Sequence, residues 1–150
     1  MKTSRILFLL VLFSTCTFAQ SKDDGQELID TFFDYYKKKS PEFALKYAFN
    51  TNKWIEVQGD EMNNIIIKLT KEVNSMGEYL GYEQIKSRSL GSRLRISSYL
   101  VYYLRDPIRF TFELYKTNTG WEISNFVFDT AFDEELEESM RITASDGVFR

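Results

Sequence analysis

Residues 108–117 read IRFTFELYKT, and this stretch decides the fold class. Its apolar side chains occupy every second position: Ile108, Phe110, Phe112 and Leu114. The positions between them hold Arg109, Thr111, Glu113 and Tyr115. Because side chains alternate between the two faces of a strand, this pattern predicts a half-buried antiparallel strand.

A strand with apolar residues on both faces is predicted just before it. The strand runs from Leu94 to Arg105, and Asp106-Pro107 separates it from residue 108. Leu100, Tyr102 and Leu104 lie on one face, and Tyr99, Val101 and Tyr103 lie on the other. Such a strand needs cover on both faces, so we expect the C-terminal segment or another subunit to cover the second one.

Two more strands complete the predicted sheet of about four. One runs from Tyr82 to Ser89, and the last runs from Trp121 to Thr130 after a hairpin loop at residues 118–120. The last strand has apolar residues at odd positions in its first half and at even positions in its second. This change of parity indicates a bulge near Asn125 or burial on both faces.

Three helices are predicted before the first strand. The first has an N-cap at Asp23 or Asp24 and ends near Lys39. Its apolar residues recur at helical spacing: Leu28, Ile29, Phe32, Phe33 and Tyr36. They form one buried stripe, which is typical of an amphipathic helix packed against a sheet.

The second and third helices follow from capping signals and apolar spacing. Ser40-Pro41 starts the second helix, and residues 50–52 end it. One face of this helix is predicted to carry Phe43, Ala44, Tyr47 and Ala48. The third helix begins near Gly59-Asp60 and is predicted to end at Gly77. Its stripe is Met62, Ile65, Ile66, Leu69, Val73 and Met76.

The first residues have the pattern of an export signal. Lys2 and Arg5 precede the unbroken apolar run from Ile6 to Phe13, and Ala19 precedes the expected cleavage site. The run is much shorter than the ~20 apolar residues of a spanning helix, so we expect no transmembrane anchor after cleavage. Residues 1–19 are therefore predicted to be a signal peptide, and the mature protein to be periplasmic or extracellular.

Cys16 offers an alternative, because a bacterial lipoprotein signal also ends its apolar run with a cysteine that carries lipid. Thr15, however, is larger than the residue that usually precedes such a cysteine. We therefore favour ordinary cleavage after Ala19. The mature chain then has no cysteine and is exported without disulfides.

Composition excludes several classes of function. The chain contains no histidine, which removes Ser-His-Asp and Cys-His catalysis and the commonest zinc-ligand sets. There are 19 Lys and Arg against 22 Asp and Glu, a net charge of −3, and this argues against a nucleic-acid partner.

Two charged groups of residues are candidate sites. Residues 131–150 are predicted to be an acidic and polar C-terminal tail, and the run DEELEE at 133–138 lacks the ligand spacing of an EF-hand loop. We therefore expect no metal and no cofactor. The strand half contains Arg88, Arg93, Arg95, Arg105 and Arg109. These arginines could bind an anionic ligand, but pairing with nearby carboxylates is the favoured interpretation.

Helices followed by a meander of long antiparallel strands predict an α+β fold. From Gln26 to Thr130 the chain resembles the cystatin-like, cone-shaped fold of the nuclear transport factor 2 superfamily. The resemblance rests on the aromatic helix at residues 28–36, the helix restart at 40–43 and the hairpin at 120–124. It implies one domain over residues 20–130, in which a curved sheet wraps around the first helix and encloses a pocket. The chain is also similar to small secreted Bacteroidetes proteins of this architecture, a similarity that implies no activity.

The resemblance yields candidate pocket residues but no catalytic set. In the isomerase-like enzymes of the superfamily, a helix tyrosine and pocket aspartates transfer protons, and Tyr36 matches the tyrosine. Glu113 has the parity opposite to Phe110, and Asp129 lies at a strand end, so no residue is assigned a catalytic role. Tyr36, Trp54 and Tyr102 are the ligand-pocket candidates, and the alternative is that they are core aromatics.

Three functional hypotheses follow. The first is an exported, non-enzymatic module that binds an unknown small molecule or a protein. The second is an isomerase-like or lyase-like enzyme that uses Tyr36 with a pocket carboxylate. The third is a homodimeric interaction protein that associates through its outer sheet face. Tyr99, Tyr103 and Tyr115 are the interface candidates, because tyrosine is enriched at interfaces; cover by the C-terminal tail is the alternative.

Overall fold

The computed structural model describes residues 24–54 and 60–146 of the 150-residue chain. The predicted signal peptide, Cys16, the alternative cap Asp23 and Gly59 lie outside the described residues. Within the described ranges, no helix combines the length and the apolar character needed to cross a bilayer.

The predicted α+β fold is confirmed. Three helices come first: α1 (Gln26–Lys38), α2 (Pro41–Asn50) and α3 (Asp60–Met76). Four strands follow: β1 (Tyr79–Leu90), β2 (Leu94–Tyr103), β3 (Ile108–Lys116) and β4 (Trp121–Asp129). They form a single antiparallel sheet in the order β1-β2-β3-β4. A fourth helix, α4 (Phe132–Asp146), occupies the segment that was predicted as an acidic tail.

The start of α1 differs from the prediction. Its N-cap is Gly25, at φ 77°, and not an aspartate. Asp24 lies one residue earlier, and its Oδ1 accepts a hydrogen bond of 3.2 Å from the N–H of Gln26. Glycine fits the cap because it adopts this left-handed conformation without the steric cost that a Cβ brings.

The predicted N-cap of α2 and the predicted glycine after α3 are found, and two of the four residues predicted for the buried face of α2, Ala44 and Ala48, are confirmed. Ser40 accepts a hydrogen bond from the N–H of Phe43, and Gly77 at φ 88° follows the last residue of α3. The buried side of α2 consists of Ala44, Leu45, Ala48 and Phe49. Phe43 is half exposed, and its ring lies edge-on to that of Tyr35. On the buried side, Leu45 and Phe49 take the places predicted for Phe43 and Tyr47.

The bulge predicted near Asn125 is present. Glu113 pairs with Asn125, whereas the next residue, Leu114, pairs with Ile123. Ser124 is therefore the extra residue, and its hydroxyl donates to the backbone carbonyl oxygen of Glu113 over 3.1 Å. The extra residue explains why the apolar parity changes along β4.

The core lies between α1 and one face of the sheet. The ring of Phe32 lies 4.9 Å from that of Phe112 and 5.5 Å from that of Phe126. Phe33 stacks on Tyr82 with 3.6 Å between ring centroids. We call the side of the sheet that meets α1 the inner face, and the opposite side the outer face.

Candidate functional site

The space between α1 and the inner face is filled by the protein's own aromatic side chains. Tyr36 is 5% exposed, and its hydroxyl hydrogen-bonds to the hydroxyl of Tyr103. The ring of Tyr79 lies 5.5 Å from the Tyr36 ring, and that of Phe110 lies 5.7 Å away. Tyr36, proposed from the sequence to line a pocket, thus lies within the packed core.

The surroundings of Tyr36 favour its neutral form. Burial, followed by the proximity of Tyr103, raises the pKa of Tyr36 far above its ordinary value. Burial, followed by the proximity of Tyr82, raises the pKa of Tyr79 to about 12. The groups that act on the Tyr36 hydroxyl are other tyrosines, an arrangement that suits packing better than proton transfer.

The three pocket candidates are not brought together. Trp54 follows α2 and is 76% exposed, with the Nζ of Lys53 at 5.3 Å from its ring centroid. Tyr102 lies on the outer face, where its hydroxyl donates to Oε1 of Glu83 over 2.5 Å. Tyr36 lies inside the core, so the three side chains do not face a common space.

The three interface candidates are separated in the same way. Tyr99 and Tyr103 are buried on the inner face, beneath α1, so they cannot form the subunit contact predicted from the sequence. The register of β2 on β3 explains this difference from the prediction. Tyr99 pairs with Phe110, and both side chains therefore point toward the core. Tyr115 alone lies on the outer face, where it is 45% exposed.

Among the described residues, one half of the outer face has no helix over it. Leu94 pairs with Leu90 on one side and with Tyr115 on the other, which places the three side chains in one row across the sheet. Ile96, two residues along β2, lies in the next row between Arg88 and Glu113. These exposed or half-buried residues form what we call the open half: Arg88, Leu90, Leu94, Ile96 and Tyr115.

A shallow groove runs over part of the open half. Its volume is about 300 Å³, and its walls are formed by Arg88, Ser89, Leu90, Leu94 and Ile96. The sequence does not predict a site at Leu90, Leu94 and Ile96, because leucine and isoleucine on strands are normally core residues. The groove therefore joins an apolar floor to a cationic rim.

The start of α4 lies over part of the other half of the outer face. Phe132, Glu135 and Leu136 of α4, together with Ile85, Leu100 and Arg109 of the sheet, line a crevice of about 320 Å³. We call this region the covered half. The C-terminal segment thus supplies part of the cover that the two-sided strand β2 was predicted to need.

Arg109 fixes α4 on the covered half. Its Nη1 donates to Oε1 of Glu135 over 2.6 Å, and its Nη2 donates to Oδ1 of Asp129 over 2.9 Å. The hydrogen bond to Glu135, and then the one to Asp129, raises the pKa of Arg109. Arg109 therefore pairs with carboxylates, as the favoured interpretation of the arginines predicted.

Arg95 forms a second polar cluster, and this one is buried on the inner face. The guanidinium is 7% exposed. Its Nε donates to the Ser87 hydroxyl over 2.9 Å, and its Nη2 donates to Oε1 of Gln26 over 2.9 Å. Its Nη1 lies 3.0 Å from Oδ2 of Asp24. The cluster joins the start of α1 to β1 and β2, so it is a structural element and not an anion site.

Neither a metal site nor a known relative emerges. In the part of the chain that the structure describes, no three Cys, Asp or Glu side chains are grouped as metal ligands would be. Comparison of the sequence and the fold with protein-family models, curated proteins and solved structures finds no match. The resemblance to the nuclear transport factor 2 superfamily therefore stays a prediction.

Proposed function

We propose that the protein is an exported, non-enzymatic module that binds another protein through the open half of its outer sheet face. The observation that carries this proposal is the contrast between the two faces of the sheet. On the inner face, Tyr99 and Phe110 are buried beneath α1. On the outer face, Ile96 and Tyr115 are each close to half exposed.

The chemistry of the open half suits a protein partner. Exposed apolar patches with a polar rim are typical of protein–protein contacts, and tyrosine and arginine are enriched there. The groove is broad and shallow, whereas small-molecule sites are usually concave and enclose most of their ligand. The tyrosine surroundings of Tyr36 support a packing role for that residue, which is why the enzyme hypothesis is not the one that we favour.

Site-specific photo-crosslinking in the producing host tests this proposal. A photoreactive phenylalanine analogue replaces Tyr115 in one variant and Phe43 in a control variant. The two positions are matched, because Tyr115 is 45% exposed on the sheet and Phe43 is 46% exposed on α2. We expect a discrete crosslinked protein product from position 115 and little or none from position 43.

The crosslinking pattern separates the possible outcomes. A product of defined mass that forms at position 115 and not at position 43 supports the proposal. Equal yields at the two positions, or no product at position 115, would contradict it. The same product also reports the identity of the partner.

A further inference from the structure

We propose that the partner of the open half is a second copy of this chain, and that α4 of each copy docks on the open half of the other. This inference rests on the proposed function, since it names the partner of the same surface. Two exposed features of the molecule carry it. One is the open half of the sheet, and the other is the exposed part of α4, which carries acidic side chains and Met140.

The apolar stripe of α4 extends beyond its own contact with the sheet. Phe132, Leu136 and Met140 recur at intervals of four residues and so share one side of the helix. Phe132 and Leu136 line the crevice of the covered half. Met140, one turn further on, is 71% exposed and offers an apolar side chain to a neighbour.

The charges of the two surfaces are complementary. The exposed acidic side chains of α4 include Asp133, Glu134 and Glu137. The open half is bordered by the exposed basic side chains of Lys86, Arg88 and Arg93, on β1 and on the turn that follows it. The exposed acidic side chains of α4 therefore match the basic rim of the groove, and Met140 matches its apolar floor.

The helix of the same chain does not fill its own open half. The pair of Arg109 with Glu135 fixes the first turn of α4 next to Leu100. Leu94 lies six residues along β2 from Leu100, about 20 Å at the usual strand rise. Leu94 and Ile96 line an open groove, although α4 begins on the same face.

A two-fold axis places the exposed part of each α4 against the open half of the other copy. When the axis runs across the strands, between the covered and the open halves, each α4 lies between its own covered half and the partner's open half. Every contact then occurs twice, as in the isologous interfaces of most homodimers. The result is a layered dimer in which two helices separate two sheets.

Charge reversal tests the geometry of this dimer. One variant makes the rim acidic through Lys86→Glu, Arg88→Glu and Arg93→Glu. A second variant makes α4 basic through Glu134→Lys and Glu137→Lys. Each variant alone places like charges in both contacts, so we expect the dissociation constant, measured by sedimentation equilibrium, to rise by about tenfold or more.

An equimolar mixture of the two variants gives the decisive result. In the mixed dimer, a basic α4 meets an acidic rim and an acidic α4 meets a basic rim, so both contacts are again attractive. We expect the mixture to recover the affinity of the unmodified chain and each variant alone to stay weakened. Failure of the mixture to recover, with α4 helical by circular dichroism in both variants, would overturn the inference.

A substitution without charge pairing provides a second test. Met140→Glu should weaken the dimer by about tenfold or more, because it places a charge on the apolar floor of the groove. Ile67→Glu is the control, since Ile67 is exposed on α3, and it should leave the dimer unchanged. An unmodified chain that is monomeric at micromolar concentration would contradict the inference, as would equal effects of the two substitutions.

The dimer and the proposed function can fail separately. If the crosslink from position 115 has the mass of two copies of this chain, both are supported. If it contains a different protein, the proposed function stands and the dimer is contradicted. If no crosslink forms at position 115, the proposed function itself fails.

Discussion

Nη1 of Arg95 lies 3.0 Å from Oδ2 of Asp24, and this pair fastens the start of α1 to the second strand of the sheet. Arg95 is 7% exposed, and the same guanidinium also reaches Gln26 and Ser87. A buried arginine with several acceptors is costly to disrupt, because its removal leaves those acceptors unpaired. The stability of the domain should therefore depend strongly on this one side chain.

Arg95→Met should lower the free energy of unfolding by about 3 kcal/mol, because the buried guanidinium is the shared donor to four acceptors. They are Oδ2 and the carbonyl oxygen of Asp24, Oε1 of Gln26 and the Ser87 hydroxyl. Urea unfolding measures the change. Arg105→Met is the control, since Arg105 pairs with Asp106 at 3.5 Å on the surface. An exposed pair of this kind contributes about 0–1 kcal/mol. Equal losses from the two substitutions would show that the buried cluster does not stabilise the fold.

Gly25→Ala should destabilise the protein more than Gly91→Ala. Both glycines have a positive φ, 77° and 64°, so alanine costs about 1–2 kcal/mol at either position. A Cβ at Gly25 would lie 3.0 Å from Cγ of Trp121, whereas one at Gly91 would have no neighbour within 4 Å. Thermal unfolding of the two variants isolates the cost of moving Trp121, and equal melting temperatures would contradict this packing.

Tyr36→Phe and Tyr103→Phe should each cost about 1–3 kcal/mol, because each leaves the other buried hydroxyl without its partner. The double variant removes both hydroxyls and should be less destabilised than the sum of the two single variants. A double-mutant cycle of urea unfolding measures this coupling energy. Strictly additive losses would contradict the direct hydrogen bond.

Stability should fall at alkaline pH. The pKa of Tyr79 is raised to about 12 in the folded protein, above the ordinary tyrosine value of about 10. The folded state thus binds this proton more tightly than the unfolded state does. The stability from Tyr79 is fully present below pH ~10 and is lost as the pH rises toward about 12.

A pH series of urea unfolding midpoints measures this loss. Tyr79→Phe should reduce the alkaline loss, because the variant has no hydroxyl to ionise at that position. Tyr115→Phe is the control, since Tyr115 is 45% exposed on the outer face and lies outside the core. An identical pH dependence for Tyr79→Phe and the unmodified chain would contradict the assignment.

The sequence predicted the architecture well because its main signals are periodic. The alternation from Ile108 to Leu114 and the helical spacing from Ile29 to Tyr36 each report a single buried face. The bulge at Ser124 was predicted near its observed place, since one extra residue changes the parity of the apolar positions.

Alternation did not identify which face of β2 meets α1. Tyr99 and Tyr102 are equally aromatic, so composition favours neither side. The inner face also carries Arg95 and Ser97, two polar residues that are buried by hydrogen bonding and not by apolar packing. The signal that was present is register, because the short turn after β2 pairs Val101 with Ile108 and thereby directs Tyr99 inward.

The open half was missed for a related reason. The spacing of Leu90, Leu94 and Ile96 on strands is typical of core residues, whereas within the described part of the chain they line an open groove. The helical spacing of Phe132 and Met140 in α4 is difficult to recognise, because the acidic run at residues 133–138 lies between them. Long-range packing, which local periodicity does not encode, decides both features.

Native mass spectrometry of the chain, purified gently from its producing host, tests the central claim most directly when run beside the Ile96→Glu variant. We predict that the unmodified chain carries a protein partner, in the form of a second copy, and no small molecule. The Ile96→Glu variant should appear as a single chain. The opposite result is that the unmodified chain and the Ile96→Glu variant are both single chains that retain the same stoichiometric small molecule. That result would contradict the proposal that the outer sheet face is the binding surface.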